Sequence, residues 1–232
     1  MIDPQVTHDS RDHRLVRIQA ISGLVFAVFL SLHLVNVMIS ALGPGLYDAF
    51  QVRIRPFYQF PLVEVGVLLA ALVTHAVVGV VRLRQRPRSR NWGKLPLRTR
   101  LHRLSAYFLL VFVLGHFAAT RLPSLLDGVW IGSSGLSWSM QSLPGYFYPY
   151  YTLLGVCGLY HGSYGTYLAL RALGVRLPSI SRLGARVSIP LAAAAVLVVL
   201  GVLSFGGHFY PIDDPRQSAF ARWAHERLGI EP

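Results

Sequence analysis

Five stretches of the chain are long and apolar enough to read as membrane helices, with polar or aromatic segments between them. Read with a window of about 19 residues, they fall at 18–42, 61–82, 102–122, 147–172 and 187–206. A helix rises about 1.5 Å per residue and a bilayer core is about 30 Å thick, so each run has roughly the length of a crossing. Residues 1–17 are polar, and the run behind them is too long for the apolar part of a cleavable signal, so it is expected to stay as a helix. The expected fold is therefore an all-α membrane protein: an N-terminal segment (1–17), a five-helix transmembrane bundle (18–206), and a tail (207–232). In the tail, Asp214 and Pro215 are placed to begin a short surface helix.

Composition agrees with that reading, with 53% hydrophobic and only 14% charged residues. A net charge of +12 would suit nucleic acid if it covered a soluble face, but the basic residues lie between the apolar runs. Sixteen of the 22 Lys and Arg fall on one side of the five-span plan: before span one, between spans two and three, and between spans four and five. The positive-inside rule then puts the N-terminus in the cytoplasm and the C-terminus outside. The basic run RLRQRPRSRNWGKLPLRTR is better matched to anionic lipid and a docked partner than to nucleic acid. The opposite connections are aromatic, and Trp130 and Trp138 are expected at the membrane interface. The single cysteine, Cys157, excludes an internal disulfide and any cysteine-ligated zinc or iron-sulfur cluster held by this chain alone.

Four histidines, His33, His75, His116 and His161, lie well inside apolar runs. An ionisable group there is costly and marks function by default. They come in a repeat: Ser22 precedes His33 by eleven residues and Ser105 precedes His116 by eleven, while His75 with Gly79 matches His161 with Gly165. Counting rise along each helix, His33 and His116 sit level at roughly 21 Å from the cytoplasmic face and His75 and His161 at roughly 9 Å. Two level imidazoles on facing helices suit axial ligation of a haem iron, which leaves no open position and restricts the group to electron transfer. Gly79, Gly115, Gly158, Gly162 and Gly165 would admit a porphyrin, or equally a neighbouring helix. Zinc fits poorly, since the two pairs lie too far apart to share one ion and, Glu64 near the outer end of span two aside, no intramembrane carboxylate or thiolate completes either. A haem-free transporter with a histidine relay, or a structural role for the histidines, is the competing account.

The run HRLSAYFLLVFVLGH (His102 to His116), its echo in span one, and the five-span plan resemble the cytochrome b membrane-anchor subunit of succinate dehydrogenases and fumarate reductases, of the single-chain, five-helix, two-haem type. The resemblance covers Arg14 to Phe205. It implies two stacked haems b, His33 with His116 for the distal one and His75 with His161 for the proximal one. It further implies a flavoprotein and an iron-sulfur subunit docked on the cytoplasmic face, membrane quinone (menaquinone or ubiquinone) as the other reactant, a bacterial cytoplasmic membrane, and room for a higher oligomer of the whole complex. The glutamate that some fumarate reductases carry two residues before the fourth-helix ligand is Leu159 here, which favours succinate oxidation. Arg17, Ser22, His102, Arg103 and Ser105 are the inner-end candidates for binding propionate or quinone, and Glu64, beside Tyr58, is the outer candidate for exchanging the quinone's proton. The membrane cytochrome b of a hydrogenase or formate dehydrogenase is the alternative electron carrier.

Overall fold

A computed structural model describes residues 4–85 and 92–230, and these are helical with no strand among them. Arg86, Arg88 and Arg90, which contribute to the charge asymmetry, lie outside the described residues. The long helices are α1 (Pro4–Ile39), α3 (Ala70–Gln85), α4 (Leu97–Asp127), α6 (Pro144–Ala172) and α8 (Ala185–Phe205). Shorter ones are α2 (Pro44–Tyr58), α5 (Ser133–Ser142), α7 (Ile180–Leu183) and α9 (Ala219–Leu228). Four stretches are long and apolar enough to cross a bilayer: Asp12–Leu42, Leu62–Gln85, Leu97–Asp127 and Ala185–Phe205, the pattern of a multi-pass membrane protein. Helix α6 has 29 residues, enough for a crossing by length, but its tyrosines and glycines dilute it below the other four.

The helices outrun the apolar runs that predict them. Helix α1 begins fourteen residues before its run, because the polar residues ahead of it include no helix breaker after Pro4, which suits a first turn. Helix α4 continues five residues past its run to Asp127, where Gly128 closes it in a left-handed conformation at φ 65°. The chain enters α3 through eight residues of π-helix, Leu62–Leu69, a rare geometry frequent at functional sites. Glu64 lies in it.

Helix α1 is the hub, packed against α3, α6 and α8, and α4 packs against α6. Small residues mark these crossings. A Cβ on Gly201 of α8 would strike the Val37 carbonyl oxygen of α1, and one on Gly155 of α6 would meet Val198 of α8 at 2.5 Å. Few residues of the four apolar stretches are buried. Their outer faces expose side chains such as Val28, Val111 and Leu114, as lipid contact requires, and their inner faces line a cavity instead of closing on one another.

The packed core sits at one end, where Tyr47, Met140, Val202 and Phe205 cluster. Helix α5 is inserted there largely buried, its N-terminus held by Asp48, which accepts from Ser133 N at 2.9 Å and Ser133 Oγ at 2.6 Å. Trp138, expected at the interface, is instead buried against Ala221 and Ala224 of α9. The tail helix lies at the surface with one face docked, and Trp223 and Arg227 both bind Asp127 at the end of α4. Asp214 caps only a 3-10 turn, Pro215–Gln217; Ser218 caps α9, accepting from Ala221 N at 3.1 Å.

Candidate functional site

A cavity of about 880 Å³ runs down the middle of the long helices, at the upper end of the range for small-molecule sites of roughly 300–1,000 Å³. His33, His75, His116 and His161 all line it. They meet in two pairs. His33 of α1 faces His116 of α4 with ring centroids 6.0 Å apart and planes at 67°, and His75 of α3 faces His161 of α6 at 6.2 Å and 84°. Each pair joins helices that stand across the cavity from one another rather than packing side by side. Two imidazoles whose nitrogens each lie about 2 Å from one metal ion have centroids roughly 6 Å apart. Among the described residues no three His, Cys, Asp or Glu side chains are arranged to hold one metal ion, so each pair offers a metal two protein ligands.

The inner pair is held by the backbone. His75 Nδ1 lies 3.0 Å from the Gln19 carbonyl oxygen of α1, and His161 Nδ1 lies 3.4 Å from the His102 carbonyl oxygen of α4. A carbonyl can only accept, so both Nδ1 atoms carry the proton and both Nε2 atoms keep a lone pair. A second-shell carbonyl of this kind is the usual companion of a metal-ligating histidine.

The serines of the repeat act on the same two carbonyls. Ser22 Oγ donates to Gln19 O at 3.3 Å, besides Ile18 O at 2.8 Å, and Ser105 Oγ donates to His102 O at 3.0 Å. Each repeat thus carries a carbonyl that seats an inner histidine, a serine three residues later bonded to that carbonyl, and an outer histidine three helical turns further on. Gly79 and Gly165, one turn beyond the inner histidines, leave room for the side chains of residues 19 and 102: a Cβ would lie 3.1 Å from Gln19 Nε2 and 3.4 Å from His102 Cε1. Gly158 and Gly162 face Leu30 of α1, which makes them helix-packing positions, and Gly115 faces open space.

The other expected residues divide. His102 stacks on His161 at 4.2 Å with planes 6° apart, and its Nδ1 is buried without a partner. Arg103 and His102 line the cavity, whereas Arg17 is exposed and lines none of it. Ser22 and Ser105 stay out of the lining, and their hydroxyls bond carbonyls of their own helices. At the inner end Arg82 Nη1 donates to Gln19 Oε1 at 2.6 Å and sits 3.6 Å from Asp12, tying α1 to α3 below His75.

At the opposite end Glu64 lines the cavity. Arg121 of α4 grips it with two hydrogen bonds, Nε to Oε1 and Nη2 to Oε2, the latter 2.6 Å, with both side chains largely buried. Helices α3 and α4 pack only sparsely, so this pair bridges an otherwise open seam. Three groups at this end were not among the residues the sequence singled out for ligand binding: Asn36, Gln51 and Arg55 line the cavity, and each has a buried polar atom without a partner. Asn36, an amide inside an apolar run, was the one legible signal. Burial pushes the Arg55 guanidinium below its ordinary range. Burial also raises the Tyr58 hydroxyl. Comparison with protein-family models, curated proteins and solved structures gives no match to this chain.

Proposed function

We propose that the chain is a di-haem cytochrome b, the membrane anchor of a succinate:quinone oxidoreductase, with His33 and His116 ligating an outer haem b and His75 and His161 an inner one. The observation that carries this reading is the inner pair: two rings 6.2 Å apart across a cavity, each with Nδ1 against a carbonyl of a neighbouring helix. Bound between two such imidazoles, haem supplies one-electron transfer with no open coordination position. The chain's own work is to fix the imidazole tautomers, to keep water out with the aromatic and aliphatic lining, and to hold the two pairs on one axis. The repeat supports the pairing, since the same carbonyl-serine-histidine order occurs on α1 and α4.

In this reading α6 also crosses, as the fourth of five spans, the N-terminus is cytoplasmic, and a flavoprotein and an iron-sulfur subunit dock on the basic cytoplasmic face of a bacterial inner membrane. Succinate is oxidised in those partners and quinone reacts in the membrane. Glu64 exchanges the quinone's proton, and it begins as a carboxylate already paired with Arg121, so proton uptake there has to release the pair. His102 and Arg103 serve the inner haem's acidic edge.

The test is a reduced-minus-oxidised spectrum of the purified chain with pyridine haemochrome quantitation. Two haems b per chain are expected. A folded preparation, made with ample haem supply, that holds none would sink the reading in favour of a haem-free membrane protein.

A further inference from the structure

We propose that Arg55, Gln51 and Asn36 form a carboxylate-binding subsite at the outer end of the cavity, and that it takes an acidic side chain of the porphyrin held by His33 and His116. The inference rests on the haem reading above and adds three residues to it.

Arg55 is the anchor. Only 6% of its surface is exposed, its guanidinium lies 4.4 Å over the Trp130 ring, its Nε donates to Gln59 Oε1 at 2.6 Å, and its Nη2 donates to Ser124 Oγ at 2.8 Å. All of these partners are neutral. The ion pairs among the described residues leave Arg55 out, and the nearby carboxylate of Glu64 has both oxygens on Arg121. Arg55, Arg121 and Glu64 therefore leave one positive charge in a nearly closed site. A buried, unbalanced cation with a free N–H edge is costly, and a ligand anion removes that cost. Its Nη1 is that edge, buried and without a partner on the cavity wall.

The two amides sit on the same wall. Gln51 precedes Arg55 by one helical turn on α2, so their side chains share a face, and its Oε1 is buried without a partner. Asn36 is 4% exposed, follows His33 by one turn on α1, and has Oδ1 in the same condition. A carboxamide turned end for end offers N–H where the oxygen stood. Two amides and a guanidinium edge from α1 and α2, which pack together, make a donor set for an oxygen ligand. The unbalanced charge selects a carboxylate over a neutral carbonyl.

The test uses the full-length His75→Ala chain, which leaves only the outer pair, prepared without haem in detergent and titrated with protohaem and with protohaem dimethyl ester, whose carboxylates are blocked. Soret absorbance reads binding. Protohaem should bind about tenfold to a hundredfold more tightly than the ester, the range of a charge-assisted hydrogen bond. Arg55→Gln should abolish most of that preference, and Arg55→Lys should keep part of it. Gln51→Leu removes a group with no partner to lose, so it keeps the fold, read by circular dichroism, and should cut the preference several-fold. An unchanged preference in both Arg55→Gln and Gln51→Leu would overturn the subsite alone. Arg55-dependent displacement of protohaem by oleate would assign the carboxylate to lipid and overturn the porphyrin assignment. Failure of both porphyrins to bind would overturn the subsite together with the haem reading.

Discussion

Gly23 sits directly behind the inner histidine pair, and adding a single methyl group there tests the geometry. A Cβ at this position would lie 2.7 Å from His75 Nδ1 and 2.8 Å from His75 Cε1. Ordinary contact begins at about 3.5 Å, so in Gly23→Ala the ring has to retreat by roughly 0.8 Å. The His75 Nδ1 to Gln19 bond, 3.0 Å long, does not survive a displacement of that size away from α1. Alanine gains up to about 1 kcal/mol over glycine in a helix. Against this stand about 1–3 kcal/mol for overpacking and about 1 kcal/mol for the hydrogen bond. The net expectation is a loss of about 1–3 kcal/mol, and a fall of about ten- to a hundredfold in affinity for the haem proposed between His75 and His161, as for other second-shell losses. Gly115→Ala is the control, because nothing lies within 4 Å of a Cβ there. It should be neutral or stabilising and keep two haems. Thermal unfolding of both variants in one detergent, with haem counted per chain, decides. A Gly23→Ala chain as stable as Gly115→Ala and retaining both haems would refute the placement of His75.

His75→Ala and His161→Ala should each lose one haem and keep the other, whereas His102→Ala should keep two; haemochrome counts and the two low-spin electron-resonance signals separate these cases. Glu64→Gln leaves the largely buried Arg121 short of a counter-charge and should cost about 3–5 kcal/mol; adding Arg121→Met should recover part of it, which a double-mutant cycle measured by thermal unfolding will read. Ser105→Ala frees the His102 carbonyl from a second donor and should cost about 1 kcal/mol or less, while shifting the redox midpoint of the inner haem and not the outer.

The fold was legible where hydropathy carries it. Four of the five predicted runs reappear as helices long and apolar enough to cross, because a bilayer demands nothing finer than length and apolarity. The parts that went astray are the ones set by tertiary contact. Trp138 reads as an interfacial aromatic from composition, yet it is buried because α9 folds back over α5 and places Ala221 and Ala224 on it. Glu64 reads as a proton-exchanging acid beside Tyr58, and its partner Arg121, 57 residues away on another helix, is no part of that pattern. No local pattern reports such a pair.

The site divides along the same line, and the division says why the repeat exists. Counting turns set His33 level with His116 and His75 level with His161, and the rings meet in those pairs. The serines were legible as conspicuous letters, but their task was not, because the group they bond is a main-chain carbonyl that every residue possesses. Side-chain identity names the atoms that touch a ligand; it is silent on which backbone oxygen holds the ring that does the touching. Once Gln19 O and His102 O are seen to seat His75 and His161, the eleven-residue spacing acquires a cause. The serine stands about three turns of helix before the outer histidine and its bonded carbonyl about four turns before it, so the inner carbonyl and the outer histidine fall near one face of the same helix, one serving each level. Helices α1 and α4 each build half of both levels in this way, and the sequence difference between residues 19 and 102, Gln against His, is the place where the two halves depart from symmetry. Gln19 turns its side chain to Arg82 and stabilises a helix pair, while His102 lays its ring on His161 with Nδ1 unpartnered. The asymmetry concentrates unspent hydrogen-bonding capacity on the α4 side of the inner level, beside Arg103, where a ligand's polar edge would have to be met.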